Sequence, residues 1–307
     1  MKKEVSIRGK IIRECIRIAT SERILGPKIK DGTFRKNVVE PPWWCPDGYH
    51  LLRIRNTHCQ MELLSPPKIG SDFVVLQLHG GGYIGKLKNV YRNFAKLYAD
   101  MAGGMKVLTL DYRVAPKHPF PAALEDAYVA YCFLQNLGYD HKHILLAGDS
   151  AGGGLCLSLC GYLRDHGIAL PAGCVLMSPW TDLTASGESY ETNYTKDPLF
   201  GNTKESMIYN GEYYGRKDPS DPYISPLFGE FTGFPDMLYQ VGDMEMLLSD
   251  STEAAKKAER AGCRVKLHVY EGMFHVFQMA LERMPESVMA WEEVREFIEE
   301  IVKRERE

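Results

Sequence analysis

The chain has 307 residues, 45% of them hydrophobic, which is enough for one large α/β domain or two ordinary ones with a substantial core. A formal net charge of −3 provides no basic surface field, and this excludes nucleic acid as the expected partner. The eight cysteines include no Cys-x-x-Cys pair, so neither a disulfide framework nor a metal site is predicted.

The first sixty residues carry apolar side chains at helical spacing, with basic residues between them. This pattern is typical of a helix on a membrane surface or of one that packs its stripe on the protein body, and we favour packing on the body. The charged N-terminus is not followed by an uninterrupted apolar run, and no segment approaches the ~18 apolar residues of a membrane span. We therefore expect a cytoplasmic protein without a membrane span. The stripe consists of Ile7, Ile11, Ile12, Cys15, Ile16 and Ala19.

From about residue 73, short apolar runs alternate with segments of helical spacing. Near-continuous apolar runs predict parallel strands that are buried on both faces, and the alternation predicts an α/β fold, with a mostly parallel twisted sheet and helices on both faces. In such sheets, ligands bind beyond the carboxyl ends of the strands. The predicted strands are 73–78, 106–110, 143–147, 173–177, 237–241 and 264–270, and the predicted helices are roughly 88–102, 121–137, 152–166, 251–262 and 284–304.

Two further segments have sequence patterns that predict a local structure. Asp-Ser-Thr-Glu at 250–253 resembles a capping box and predicts that a helix begins there. Residues 181–236 are rich in Tyr, Pro, Gly and Asp and are too many for an ordinary connection between strands, so they predict a lid or a substrate-binding insertion.

Two glycine-rich motifs follow predicted strands. The sequence Gly-Asp-Ser-Ala-Gly-Gly at 148–153 contains Gly-x-Ser-x-Gly, the pattern in which a serine lies on a sharp strand-to-helix turn with its hydroxyl exposed. The sequence His-Gly-Gly-Gly-Tyr at 79–83 offers backbone N–H groups that can point at an anion. Together they predict a nucleophile, Ser150, and an oxyanion site, as acyl transfer requires.

A serine hydroxyl needs a base at neutral pH, and a histidine held by a carboxylate is the usual one. Of the nine histidines, His275 follows the last predicted strand and therefore lies at the carboxyl edge of the sheet. The acid should follow the preceding strand, where Asp243 and Glu245 both lie. The chain order serine, acid, histidine matches the order expected in α/β-hydrolases.

At these residues the chain resembles the hormone-sensitive lipase family, in its branch of bacterial carboxylesterases with the α/β-hydrolase fold. The resemblance extends from about residue 70 to the C-terminus. Besides the two glycine motifs, it is carried by Asp-Tyr-Arg-Val-Ala-Pro at 111–116, Phe-Pro-Ala-Ala at 120–123 and Ser-Pro-Trp-Thr-Asp at 178–182.

The resemblance implies that Ser150 is the nucleophile and that His275 is the general base and later the general acid. It also implies an oxyanion hole formed by the backbone N–H groups of Gly81, Gly82 and Ala151. A single donor of that kind is typically worth ~10²–10³ in rate.

The chain departs from the family pattern at the acid. The usual Asp-Pro-Leu is replaced by Glu-Met-Leu at 245–247, aligned by its leucine, which suggests a Ser-Glu-His triad with Glu245 as the acid. Asp243 stays open as the alternative. His79 is expected to brace the glycine loop and Asp149 to support the site, without reacting.

By the same resemblance, residues 1–60 and the insertion 181–236 are expected to form a helical cap over the catalytic domain, which comprises 61–180 and 237–307. Several aromatic and apolar residues are candidates for an acyl pocket, and ordinary packing between cap and body is the alternative for each. These candidates are Tyr83, Trp43, Trp44 and Met207, with Phe200, Tyr213 and Tyr214 as further members.

The expected function is the hydrolysis of small-molecule carboxylic esters with short to medium acyl chains through an acyl-enzyme intermediate, without a cofactor or a metal. Amide cleavage, as in arylacetamide deacetylases of the same fold, is the alternative because the triad chemistry is shared. A non-catalytic ligand receptor is disfavoured because Ser150 and His275 are both present. The predicted edge strand 264–270 could pair with its twin, so a homodimer is expected.

Overall fold

The structure is a computed structural model that describes residues 4–21, 23–24, 40–55, 59–201, 208 and 211–307. Its strands are β1 His50–Arg55, β2 Gln60–Ser65, β3 Val74–Leu78, β4 Lys106–Asp111, β5 Ile144–Asp149, β6 Gly173–Met177, β7 Asp236–Gly242 and β8 Val265–Tyr270. They form one sheet in the order β1-β2-β4-β3-β5-β6-β7-β8. From β4 to β8 all neighbours pair in parallel, which confirms the predicted α/β class.

Helices cover both faces of this sheet. They are α1 Ile7–Ala19, α2 Asn89–Ala99, α3 Ala122–Asn136, α4 Ala151–Asp165, α5 Ser189–Thr192, α6 Leu248–Arg260 and α7 Pro285–Arg306. Alternate strand residues face opposite sides, as the period of two requires. Val74, Leu76 and Leu78 pack with α3, α4 and α6, whereas Val75 packs with α2 and α7. The continuous apolar runs of the sequence therefore fill two cores.

The antiparallel edge of the sheet was not predicted from the sequence. In β1 and β2, His50 pairs with Ser65 and Arg55 with Gln60, and β2 then pairs antiparallel with β4. Charged and polar residues interrupt both strands, so they lack the long apolar runs that indicate the central strands.

The N-terminal helix α1 lies on the surface with two different faces. Ile12 and Ile16 pack against the cluster that contains Met273 and Phe274, as expected for a helix on the body. Ile7 and Ile11, which belong to the same predicted stripe, are 76% and 57% exposed. The expectation that the whole stripe packs on the protein body was therefore wrong. The stripe extends around too much of the helix circumference for a single contact with the body to bury all of it.

The predicted capping box at 250–253 was also wrong. The helix α6 begins at Leu248, and no side chain caps its N-terminal residue. The Asp250 carboxylate instead accepts hydrogen bonds from the backbone N–H groups of Thr181 and Asp182, both at 2.8 Å. The carboxylate thus fixes the start of the insertion, a tertiary contact with no local signature.

Among the residues described, no helix is long and apolar enough to cross a membrane.

Candidate active site

The candidate site lies where four neighbouring parallel strands end at the same edge of the sheet. Ser150 follows β5, Ser178 follows β6, Glu245 follows β7 within a turn, and His275 follows β8. This is the edge at which open α/β sheets bind ligands. The side chains of all four residues are buried or nearly so, at 7% exposure or less.

Ser150 lies on a strained turn between β5 and α4. Its φ of 52° and ψ of −122° fall outside the regions that non-glycine residues ordinarily adopt. The backbone holds it there: its N–H donates to Met177 O at 2.9 Å, and its carbonyl accepts from Trp180 N at 2.8 Å. At Gly152 a Cβ atom would lie 2.1 Å from Leu78 O, so the second glycine of the motif permits the helix to approach β3.

The glycine loop after β3 turns back next to Ser150. Gly81 and Gly82 have φ values of 111° and 61°, which favour glycine. The Gly81 carbonyl accepts from the N–H groups of Ile84 and Gly85, which closes the turn. Among the described residues, the N–H groups of Gly81 and Gly82 have no acceptor. Ala151 is the first residue of α4, where a helix leaves its N–H groups unused.

A buried carboxylate joins this loop to the turn that carries Ser150. Asp149 Oδ1 accepts a hydrogen bond from Gly80 N at 3.0 Å, and Oδ2 accepts one from the Tyr91 hydroxyl at 3.2 Å. Burial raises the pKa of Asp149 to about 7, an effect that the nearby His275 and these hydrogen bonds reduce. Because Asp149 precedes Ser150, this contact sets the position of the glycine loop relative to the serine.

His79 has the surroundings of a structural residue. It is fully buried, its Nδ1 lies 2.7 Å from Gly80 O, and its ring stacks on Tyr112 with centroids 4.1 Å apart. Burial lowers the pKa of His79, so the ring is neutral at physiological pH. A neutral Nδ1–H that donates to Gly80 O holds the entry of the glycine loop.

The structure brings Glu245 to His275. His275 Nδ1 lies 2.9 Å from Glu245 Oε2. A carboxylate can only accept at that contact, so Nδ1 carries the proton and Nε2 presents its lone pair. The other oxygen, Oε1, accepts from Ser178 Oγ at 2.8 Å and from Gly242 N at 2.5 Å. Each oxygen of this buried carboxylate therefore has a partner.

Asp243, the alternative acid, binds elsewhere. Its Oδ1 accepts a hydrogen bond from Gly272 N at 2.6 Å, at the start of the loop that carries His275. Burial raises the pKa of this half-buried carboxyl group. Asp243 thus holds the histidine loop by its backbone, whereas Glu245 contacts the imidazole.

Ser178 was missed as a site residue by sequence reasoning. Its φ of 46° turns the chain after β6, and its N–H donates to Gln240 O at 2.7 Å. Its hydroxyl donates to Glu245 and accepts from Val276 N at 3.2 Å, so it joins Glu245 to the loop that carries His275. The available signal was its place directly after a predicted strand, at the start of the Ser-Pro-Trp motif.

The segment after α5 holds the loop that carries Glu245. Asn193 Nδ2 donates to the carbonyls of Asp243 and Glu245 at 2.9 and 2.8 Å, and Asp197 Oδ2 accepts from Met246 N at 2.8 Å. Burial raises the pKa of Asp197. The Phe200 ring lies 4.7 Å from the His275 ring. Part of the insertion 181–236 therefore contacts the candidate site directly.

The candidate pocket residues lie in different surroundings. Trp43 donates its indole N–H to Asn93 on α2 at 3.0 Å, and Trp44 is 84% exposed. Tyr83 is fully buried and stacks on Tyr213 with ring centroids 3.7 Å apart. Met207 lies outside the described residues.

No group of three or more His, Cys, Asp or Glu side chains that could hold a metal ion occurs in the described part of the chain.

Comparison with known proteins gives the same fold. The family described as alpha/beta hydrolase fold matches residues 75–279. The chain is 37% identical to an acetyl-hydrolase of Streptomyces hygroscopicus over 78% of this chain and 80% of that protein. It is 36% identical to an esterase of Acinetobacter venetianus over 73% and 74%. A crystal structure of an esterase from the bacterial hormone-sensitive lipase family superposes with a TM-score of 0.84 at 34% identity, over 98% of this chain and 100% of that one.

The chain belongs to the hormone-sensitive lipase family of α/β hydrolases. The family resemblance inferred from the motifs is thereby confirmed, and so is the fold that it implied. The match includes the glycine loop, the serine turn, the acid loop and His275, since all four lie within residues 75–279.

Proposed function

We propose that this protein is a serine carboxylesterase that hydrolyses short- to medium-chain esters, with Ser150, His275 and Glu245 as its catalytic triad. The observation that carries the proposal is the contact between the buried Glu245 carboxylate, which follows β7, and the buried His275 ring, which follows β8, at the sheet edge where Ser150 follows β5. The names of the relatives, acetyl-hydrolase and esterase, support the same chemistry.

In the first half-reaction, Ser150 Oγ attacks the ester carbonyl carbon while His275 Nε2 takes the hydroxyl proton. Glu245 stabilises the imidazolium that forms and keeps the ring in the required tautomer. The carbonyl oxygen becomes an oxyanion, and the N–H groups of Gly81, Gly82 and Ala151 donate to it. When the intermediate collapses, His275 returns the proton to the departing alcohol, and the acyl group stays on the serine.

In the second half-reaction, water replaces the alcohol. His275 takes a proton from the water, whose oxygen attacks the acyl carbon, and the same N–H groups stabilise the second oxyanion. Collapse returns the proton to Ser150 and releases the carboxylic acid. No metal or cofactor enters either step.

We further propose that α1 and the insertion form a cap over the serine, whereas residues 50–55, which were expected in the cap, form strand β1 of the sheet. Two sets of contacts support this. Arg17 on α1 donates to the carbonyls of Thr195 and Lys196, and Thr20 donates to Pro198 O at 2.5 Å. The same insertion segment brings Phe200 to the His275 ring. A homodimer through β8 and a cytoplasmic location stay predictions, and β8 does lie at an edge of the sheet.

The proposal is tested by the hydrolysis of p-nitrophenyl esters from acetate to palmitate. Turnover should be highest with short chains and should fall by about 10⁴-fold or more in Ser150→Ala, since a triad without its nucleophile loses covalent catalysis. Ser158→Ala is the matched control, because Ser158 is a buried serine on α4 outside the site. Absence of turnover on every ester, or full activity of Ser150→Ala, would contradict the proposal.

Side-by-side turnover of an anilide and the corresponding phenyl ester tests the amidase alternative. A preference for the ester supports the esterase, and a preference for the anilide supports the amidase.

A further inference from the structure

The outward face of α1, formed by Ile7, Ile11, Cys15, Ile18 and Ala19, is apolar and exposed to solvent. Its isoleucines at positions 7, 11 and 18 are 76%, 57% and 64% exposed, and Ile24 after the helix is 42% exposed. At 3.6 residues per turn, these three helical isoleucines fall within an arc of roughly 40°. Isolated exposed apolar residues are ordinary, but several aligned on one short helix indicate a binding surface.

The opposite face of α1 is already occupied by the protein. Ile12 and Ile16 pack on the histidine loop, and Arg13 donates to Gly272 O at 3.2 Å. Ser6, which caps the helix, donates from its N–H and its hydroxyl to Glu286 on α7, at 2.6 and 2.9 Å. The helix is thus fixed to the body in an orientation that points the outward face away from it.

The charges of α1 indicate which kind of partner this surface can bind. Arg8 and Lys10 are exposed and lie on either side of the three isoleucines, and neither forms an ion pair with any other described residue. Glu14, the one acidic side chain in the helix, is paired with Arg13 at 3.4 Å and Arg17 at 3.5 Å. The helix is therefore basic on a chain whose net charge is −3.

We propose that the outward face of α1 docks on an anionic lipid surface. An apolar stripe with basic residues on its flanks is the pattern of helices that lie in the plane of a bilayer, with the apolar side chains among the acyl chains and the cations at the headgroups. A second copy of this face fits less well, since its one acidic side chain, Glu14, is already paired with Arg13 and Arg17 and leaves no acidic partner for Arg8 and Lys10.

Docking by this helix would place the lipid surface beside the proposed ester site. The helix contacts the loop of His275 through Arg13 and the insertion segment through Arg17. An ester held at the surface of a bilayer would then lie close to the cap. The docking surface itself is separate from the triad, so it can be tested without any assay of turnover.

The test is co-sedimentation of the full chain with vesicles of phosphatidylcholine and phosphatidylglycerol in equal parts. The protein should sediment with these vesicles and about tenfold less with vesicles of phosphatidylcholine alone. The triple variant Ile7→Ser, Ile11→Ser, Ile18→Ser should lose about tenfold or more of its binding, and Arg8→Glu with Lys10→Glu should do the same. Melting curves should match the wild type, since none of these side chains is buried.

The control variant is Leu52→Ser, Ile69→Ser, Leu137→Ser, which removes three apolar side chains of 59%, 52% and 50% exposure outside α1. It should bind as the wild type does. The proposal is overturned if the wild type does not sediment, if the triple α1 variant binds normally, or if neutral vesicles bind equally well. It is also overturned if light scattering shows that only the triple α1 variant loses an oligomeric state, since a second copy would then cover this face.

Discussion

On each side of Ser150 a buried carboxylate organises the candidate site, and the two carboxylates have different partners. On the glycine-loop side, Asp149 accepts from a backbone N–H and from a tyrosine hydroxyl, at Gly80 and Tyr91. On the histidine side, Glu245 gives one oxygen to His275 and the other to Ser178 and Gly242. The first carboxylate contacts only groups that keep their protons throughout the proposed reaction, and the second contacts the ring that gains one.

This difference determines which carboxylate must be charged. In the proposed reaction, a positive charge develops on His275 when it takes the serine proton, and the Glu245 carboxylate stabilises that charge. Ser178 and Gly242 donate hydrogen bonds to Glu245 Oε1 and so hold the carboxylate next to the ring. Asp149 does not stabilise a developing charge in the proposed reaction. A neutral group of the same shape can keep its hydrogen bonds with Gly80 and Tyr91. Replacing Glu245 by Gln and Asp149 by Asn should therefore have very different effects on activity.

The largest effect is expected on the histidine side. Glu245→Gln should lower kcat by about 10²–10⁴-fold, because the amide cannot stabilise the imidazolium and favours the wrong tautomer. Asp243→Asn, two residues earlier, should lower kcat by no more than about threefold, since an amide oxygen can still accept from Gly272 N. Steady-state kinetics with p-nitrophenyl butyrate measure both variants. The reverse order of effects would assign the acid to Asp243.

A smaller effect is expected from the residue that holds Glu245. Ser178→Ala removes the hydroxyl that donates to Glu245 Oε1 and accepts from Val276 N. A hydrogen bond to a charged group contributes about 1.5–3 kcal/mol, so kcat should fall by roughly 10–100-fold.

The Ser178 hydroxyl contacts Glu245 and the backbone of Val276, so we expect KM to change little while kcat falls. The Ser158→Ala protein is again the control for loss of a buried hydroxyl. An unchanged kcat, or a change confined to KM, would show that Ser178 has no positioning role.

The smallest effect on activity is expected at Asp149, where stability changes instead. The pKa of Asp149 is raised from 3.8 to about 7, so the folded protein binds this proton more tightly than the unfolded chain. Its contribution to the free energy of unfolding is therefore greatest below about pH 4, falls as the pH rises to about 7, and is constant above that. Integrated over that range, the loss is at most about 4 kcal/mol.

Asp149→Asn removes this titration and keeps an acceptor for Gly80 N. Urea unfolding at pH 5 and pH 8 should show the variant gaining stability relative to the wild type at the higher pH, with kcat within about threefold. Stability differences that are equal at the two pH values would mean that Asp149 is ionised throughout the range.

The central fold was predictable, and the candidate site could be located in the sequence, because their signals are local. The strand 173–177 was placed at its observed bounds from its apolar run, and Ser150 from the glycines around it. His275 was selected because chain order and strand position leave few candidates at that edge. These features depend on residues that are neighbours in sequence or at successive strand ends.

The features that were missed depend on contacts between distant segments. The role of Ser178 exists only because β6 and β7 are neighbours, which puts its hydroxyl next to Glu245, 67 residues away. Asp250 resembled a capping residue, but its partners are Thr181 and Asp182 in another loop. In α1, helical spacing found the apolar residues but could not tell which of them face the body. A single sequence contains no information on these pairings.

The measurement that tests the central claim most directly is covalent labelling with diethyl p-nitrophenyl phosphate, followed by peptide mapping by mass spectrometry. We expect one diethylphosphoryl group per chain, on Ser150, with loss of esterase activity in proportion to labelling. Labelling should be absent in Ser150→Ala and slowed by orders of magnitude in Glu245→Gln. Complete inactivation with the label on another residue, or labelling of Glu245→Gln at the wild-type rate, would contradict the proposed triad.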